Sequence, residues 1–354
     1  MALSSASGSM GQCYTSPLVD AAVSQPTVSV VIACYNSAAY LPRCLKALSA
    51  QTFTDFEIIV IDNASPEGDL GPLQDLWPDL PIRCERLATN VGFAAANNLG
   101  AQMAKAPWLA LLNPDAFPEP DWLGNLLEAA RIHPGAFFAS RQIQADRPKL
   151  LDGDGDVYFI SGLAQRRNFN VPCYPPGPAH EVFSACAAAA MYPTQAFLDA
   201  GGFDEDYFAY QEDVDLGFRL RLRGLHCFLA PSAVVYHLGG SSSSRRGALA
   251  TYFGHRNLVW TYVKDMPSPW FYVYLPLHVA WSVIAVIYFV LRGQGRAIVR
   301  AKVDALRAIP AVLEKRRLVQ ADRRVEPGEV LRFMNRSPIG PLEGILDRTW
   351  PTEK

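Results

Sequence analysis

The chain has 354 residues, half of them hydrophobic, and a formal net charge of -2. That length suits one large α/β domain with an accessory segment, or two small domains, and the composition excludes a disordered or nucleic-acid-like chain. The seven cysteines (Cys13, Cys34, Cys44, Cys84, Cys173, Cys186 and Cys227) are scattered without a CxxC pair, which points to reduced cytosolic thiols rather than a disulfide framework or a zinc site.

Residues 1–26 lack a basic n-region and a long apolar core, so they are expected to form a flexible leader and not a signal peptide. From Val28, TVSVVIACYN is a β-branched strand, AAYLPRCLKALSAQ has helical periodicity, and FEIIVIDNAS is a second buried strand. PIRCERLATN is a weaker third strand, GFAAANNLGAQMAK a small-residue helix, and PWLALLNPDAF a fourth strand. Continuous apolar strands alternating with helices predict a parallel sheet covered on both faces. Ligands of such sheets bind beyond the carboxyl ends of the strands, where Asn36, Asp62, Asn90 and Asp115 fall.

Residues 137–178 are less regular, rich in Gly, Asp and Pro, and are expected to hold strand pieces and a mobile loop. HCFLAPSAVVYHLGG predicts a strand pair ending at His237, and GGSSSSRRG a loop. The apolar run Trp270 to Leu291 is long enough to cross a bilayer, although Pro276 and His278 interrupt it. Beyond it the chain is rich in Arg and Lys with few acids between them, including Arg292, Arg296, Arg300, Lys302, Lys315 and Arg316, which suits an anionic surface. A single crossing would separate the body from this tail, and the positive-inside tendency would then export a thiol-bearing body that lacks a signal. Two arrangements avoid that: a helix pair dipping into or lying on one leaflet, or a buried core helix pair with surface contact. The expected organisation is thus a leader (1–26), an α/β domain (27–265), a helical membrane-associated segment (266–325) and a tail (326–354).

Several residues suit chemistry, and each also has a plain structural reading. Asp115 in LLNPDAF is a strand-end carboxylate that could hold Mg2+ or Mn2+ on a diphosphate, or simply complete an Asn-Pro-Asp turn. Asp62 could accept hydrogen bonds from a nucleobase or ribose, or belong to a helix N-cap with Asn63 or Ser65. Asn90, Gly92 and Asn97 surround a helix start, where backbone N–H groups favour phosphate; a plain helix with a close packing face is the alternative. In YQEDVDLGFRLRLRG a helix is expected to start near Glu212, crowding Glu212, Asp213 and Asp215 at its first turn with Asp206 just upstream. Acids there are stabilised by roughly 0.3–1 kcal/mol. The same dipole would keep a carboxylate ionised and able to act as a general base. His237 is structural unless it faces Asp115.

In order, VSVVIACYN, IIVIDNAS, NVGFAAANNLG, LLNPDAF, GGFDEDYFAYQEDVDLGFRLRLRG and VVYHLGG resemble the motifs of family 2 glycosyltransferases. The subgroup they are most similar to is the bacterial rhamnosyltransferases of cell-surface polysaccharide assembly, with galactofuranosyltransferases behind. The resemblance covers about Val28 to Lys264. It implies the nucleotide-sugar-binding α/β fold called GT-A and direct inversion at the anomeric carbon. It implies a donor-binding set of Tyr35, Asn36, Asp62, Asn90, Gly92, Asn97, Asn113 and Asp115, with Asp62 reading the base. The family's Asp-x-Asp falls on Asn113-Pro114-Asp115, so one carboxylate remains; Asp115 and His237 are the implied ligands of Mg2+ or Mn2+. Asp213 matches the catalytic base, and Glu212 a contact to the acceptor. The implied partners are a nucleotide-sugar donor, dTDP-rhamnose foremost, and a glycan or lipid-linked glycan acceptor at the cytosolic membrane surface, with no nucleic acid. UDP-galactose, UDP-galactofuranose and UDP-N-acetylglucosamine stay open as donors. A nucleotidyltransferase would carry a Gly-rich basic loop after the first strand, which ACYNSAAY is not. A non-catalytic scaffold would be signalled by loss of Asp213 or Asp115. A processive synthase would carry a Gln-x-x-Arg-Trp-like motif and several crossings.

Overall fold

The computed structural model describes residues 25–66, 73–239 and 244–340. Most of the expected leader, residues 240–243 of the expected Ser-rich loop and the end of the expected tail lie outside the described residues. The first half alternates as β1 (Val28–Cys34), α1 (Leu41–Ser49), β2 (Phe56–Asp62), α2 (Leu73–Leu76), β3 (Ile82–Arg86), α3 (Gly92–Met103) and β4 (Trp108–Leu112). Next come β5 (Ala116–Pro118), α4 (Trp122–Ile132), β6 (Phe137–Gln144), β7 (Leu151–Gly153), β8 (Asp156–Tyr158), β9 (Ala164–Arg166) and β10 (His180–Glu181). They lead to β11 (Ala189–Pro193), α5 (Thr194–Asp199), α6 (Glu212–Leu222) and β12 (Cys227–His237). Five helices follow: α7 (Ser244–Asp265), α8 (Trp270–Leu291), α9 (Gly295–Arg307), α10 (Ile309–Ala321) and α11 (Pro327–Arg332).

Every residue of β2 and nearly every residue of β1 is buried, as a strand covered on both faces requires. Among the described residues one sheet runs β10-β12-β6-β11-β4-β1-β2-β3, with β5 on β12 and β7 on β6. Strands β1 to β4 are mutually parallel, while β11 is antiparallel to both β4 and β6. One apolar layer joins the sheet to α1 and α4 through Leu41, Leu45, Trp122 and Leu126. The opposite layer uses Ala94, Ala96 and Ala101 of α3 and Leu216 and Leu220 of α6.

The expected strand pair at 226–240 is instead one strand, β12, whose register against β6 shifts between Ala230 and Val234. Pro231 stands in the irregular stretch; it has no N–H for a ladder, so the strand bulges rather than turns. The expected helix pair at 270–291 is one continuous helix, α8, with Pro276 inside it. Nor is it a core helix: only His278 and Trp281 of α8 are buried. The basic run after it is less free than its composition implies. Lys302 Nζ donates to His255 O and Ser282 Oγ, and Arg316 donates to the carbonyls of Val263 and Met266. Arg292, Arg296 and Arg300 are exposed.

The C-terminal helices pack on α6 through Val214, Phe218 and Leu222 against Trp260, Tyr262 and Val263. A buried ionic knot reinforces that seam. Lys264 Nζ lies 2.6 Å from Asp204 and 2.5 Å from Asp215, and Arg219 lies 2.7 Å from Asp215. Lys315 of α10 pairs with Asp204 and, at 2.7 Å, with Asp206. Burial alone would raise the Asp215 pKa, but Arg219 and Lys264 outweigh it and hold the carboxyl well below its ordinary range. Lys264→Ala would leave two buried carboxylates short of a cation, which costs about 3–5 kcal/mol when a buried pair is broken from one side. Guanidinium unfolding of the variant should show a loss of that size, whereas a loss under about 1 kcal/mol, the level of an exposed pair, would mean the knot does not hold α6 to α7.

Candidate active site

A cavity of about 380 Å³ opens at the carboxyl edge of the sheet. Asn113 and Asp115 reach it from the turn between β4 and β5, His237 from the end of β12, and Glu212 and Asp213 from the first turn of α6. Sheet register makes the first meeting: His237 pairs with Ala116 of β5 and with Gln144 of β6. The imidazole Nε2 lies 3.4 Å from Asp115 Oδ1 and 3.5 Å from the Asn113 amide. Its Nδ1 lies 2.7 Å from Asp152 Oδ2. Asp152 therefore orients the ring, in the way a carboxylate fixes a metal-binding histidine. Burial would lower the His237 pKa, but hydrogen bonds with Asp115 and Asp152 outweigh it and raise the value. Burial would raise Asp115, and His237 outweighs that to hold it below its ordinary value.

At the first turn of α6, burial decides against the helix dipole. Glu212 is pushed well up by desolvation and then by the charge of Asp213, and its Oε2 is buried without a hydrogen-bond partner. Asp213 is also raised by burial. Backbone N–H groups of Ala187 and Val214 donate to its two oxygens at 3.1 and 2.9 Å and oppose the rise. The expectation that the helix start alone keeps these acids fully ionised is thus corrected: the first turn lies in a cavity wall, where desolvation exceeds a dipole term of ~1 kcal/mol. Of the four crowded acids, Asp215 and Asp206 point elsewhere, into the ionic knot with Lys264 and Lys315.

The remaining sequence candidates do not line this cavity. Tyr35 and Asn36 are exposed beyond the end of β1, with Tyr35 at 49%. Asp62 is buried; it accepts from the Ser65 N–H at 3.0 Å and from Arg86 Nη1 at 2.5 Å, which favours its structural reading. Asn90 Oδ1 accepts from Asn63 Nδ2 and the Gly92 N–H. The start of α3 is likewise spent on protein acceptors. Val91 N–H donates to Asn63 Oδ1 at 2.9 Å, and Ala94 N–H to the Phe208 carbonyl at 3.2 Å. A side chain at Gly92 (φ +90°) would put its Cβ 2.6 Å from that carbonyl, so the glycine serves close approach of protein, not of phosphate. Asn97 is buried within α3 and donates to Phe93 O at 2.9 Å.

Sequence reasoning missed Asp152, Asp156 and Arg166, all from the irregular stretch after β6. Asp156 of β8 lines the cavity, accepts from Ser184 Oγ at 2.9 Å, and is raised to about 8 by burial and the nearby Asp213. Arg166 of β9 lines it too, with Nη1 2.5 Å from Asp152 Oδ2. The run LLDGDGDVYF carries no periodicity that separates these acids from turn residues; its only signal was the density of carboxylates.

The match to the family model "Glycosyl transferase family 2" spans residues 29–179. Over 271 residues the chain is 28% identical to N-acetylglucosaminyl-diphospho-decaprenol L-rhamnosyltransferase of Mycobacterium tuberculosis (strain CDC 1551 / Oshkosh), covering 68% of this chain and 85% of the relative. The mannosyltransferase PcManGT from Pyrobaculum calidifontis, solved with GDP-Man and Mn2+, superposes with a TM-score of 0.53 at 15% identity, over 92% of this chain and 89% of that one. GalNAc-T7, solved with UDP, GalNAc and Mn2+, gives 0.56 at 18% identity over 72% of this chain and 51% of the other, so this chain spans about half its length. Those two likenesses establish the GT-A fold, and residues 29–179 within it match the family 2 glycosyltransferase model.

Proposed function

We propose that the protein transfers a sugar with inversion from a nucleoside diphosphate donor, L-rhamnose from dTDP-rhamnose foremost, to a lipid-linked glycan at the cytosolic membrane face. The observation that carries this is one cavity lined both by the Asp115–His237 pair and by Asp213 with Glu212. An inverting displacement needs both kinds of group: a base for the acceptor and charge stabilisation for the leaving group. Asp213 takes the proton of the acceptor hydroxyl as its oxygen bonds to the anomeric carbon, and the bond to the nucleoside diphosphate breaks. Glu212, whose pKa burial and the charge of Asp213 push up, contacts the acceptor.

The residues fit a divalent cation, Mg2+ or Mn2+. A carboxylate oxygen and an imidazole nitrogen 3.4 Å apart, the ring held from behind by Asp152, form a two-ligand site of the kind that leaves the remaining positions to phosphate oxygens and water. Among the described residues no group of three or more acids, histidines or cysteines could hold a metal unaided. When bound, the cation would supply positive charge to the departing diphosphate. A rhamnosyl donor and a lipid-diphosphate acceptor are supported by the name of the mycobacterial relative.

Helix α8 supports the membrane side of the reading. It is 22 residues long with a mean hydropathy of 1.9, and Tyr272, Val279, Val283, Ile287 and Leu291 are exposed along it. Val299, Val303 and Leu306 of α9 are exposed as well, beside Arg292, Arg296 and Arg300. Apolar side chains flanked by arginines suit insertion into one anionic leaflet.

Three outcomes follow. Titration with dTDP-rhamnose and a panel of UDP-sugars should show one donor binding more tightly with Mn2+ or Mg2+, and Asp115→Ala should abolish the metal effect; failure of the whole panel to bind would leave a scaffold. Asp213→Asn should keep donor binding and lower kcat by roughly 10²–10⁴-fold. Because burial raises the Asp213 pKa above the ordinary 3.8, the base is protonated on the acid side. The kcat/KM profile should therefore rise with pH through an apparent pKa above that value, and an acid limb centred at or below 3.8 would exclude Asp213 as the base.

A further inference from the structure

The cavity holds a cation that the reading above does not use. Among the described residues that line it, Arg166 is the only Lys or Arg. Its strand, β9, pairs with β8 so that Arg166 lies opposite Asp156. Its Nη1 donates to Asp152 Oδ2, the oxygen that also holds His237 Nδ1. The guanidinium therefore stands one carboxylate away from His237, in the same cavity lining as Asp156 and Asp213. Among the described residues Asp152 is its one hydrogen-bond partner, and its side chain is 35% exposed. A planar fork with five N–H donors and one partner has donors left for a ligand.

The acids around it explain why it stays charged: burial would lower the Arg166 pKa, and Asp152, Asp156 and Asp213 raise it. The leaving side of the cavity otherwise offers little positive charge. One carboxylate, Asp115, and one imidazole face the cation site, with a neutral amide, Asn113, beside them. A nucleoside diphosphate gains negative charge as the bond to the sugar breaks, and a fixed guanidinium matches two phosphate oxygens at once. Resting on the donor reading, we propose that Arg166 is a catalytic residue that binds the diphosphate of the nucleotide directly, sharing the leaving group's charge with the site at Asp115 and His237.

The test is calorimetric titration of the full chain with inorganic pyrophosphate, UDP and dTDP, in EDTA and again in Mn2+, for the wild type, Arg166→Gln and Arg166→Lys. Circular dichroism melts identify a variant that has lost its fold; the lysine variant, which keeps the charge, is the safeguard. In EDTA the wild type should bind pyrophosphate, the glutamine variant should bind it roughly 10- to 100-fold more weakly, and the lysine variant should fall between. Equal binding by wild type and Arg166→Gln overturns the proposal. So does a loss seen only in Mn2+, which would mean that Arg166 acts through Asp152 and His237 on the metal. Wild type that binds nothing without Mn2+ also overturns it while leaving the donor reading intact. Wild type that binds none of the three probes in either condition removes the donor reading and the clamp together.

Discussion

The pairing of β12 with two neighbours at once is the constraint on which the site depends. It runs parallel to β6 and antiparallel to β5, and both registers end at His237. That places an imidazole from residue 237 against a carboxylate from residue 115, a contact that no local sequence rule produces. A slip of one residue would turn the ring to the other face of the sheet. The bulge at 231–233 shifts the register of β12 against β6 by three residues, so that pairing resumes at Val234 opposite Arg141 and reaches His237.

Around that fixed pair the electrostatics are settled by burial more than by helix ends. The first turn of α6 carries three acids that meet three environments. Asp215 enters a knot of Arg219 and Lys264 and is held ionised. Glu212 has no cation and is pushed toward its neutral form. Asp213 lies between these extremes, with two backbone N–H donors opposing desolvation. Groups whose surroundings drive their pKa values apart in one small volume are suited to separate roles in proton transfer.

The same knot ties α6 to the C-terminal helices. Asp215 and Lys264 link α6 to α7, and Lys315 brings in α10 through Asp204 and Asp206. The exposed apolar surface of α8 and α9 is thereby joined to the helix that carries Glu212 and Asp213. Under the proposed function, in which a lipid surface presents the acceptor, such a linkage would set the cavity at a fixed height relative to that surface.

Much of this architecture was legible in the chain. The apolar runs of β1, β2 and β4 have only one stable use, as strands covered on both faces, and the order of short motifs carried the family resemblance. The start of α6 and the length of α8 were also readable, because each rests on local periodicity. What the sequence could not decide was long-range. It could not say that Asp62 is taken by Arg86, that Asn63, Asn90 and Phe208 consume the start of α3, or that Asp215 faces away from Asp213. Beyond a density of carboxylates in an aperiodic stretch, it gave no sign that Asp156 and Arg166 line the cavity and that Asp152 holds His237. Residue type and spacing determine which element forms and which groups it can offer; which of those groups are already satisfied, and which still face a ligand, is decided by contacts between residues far apart in the chain.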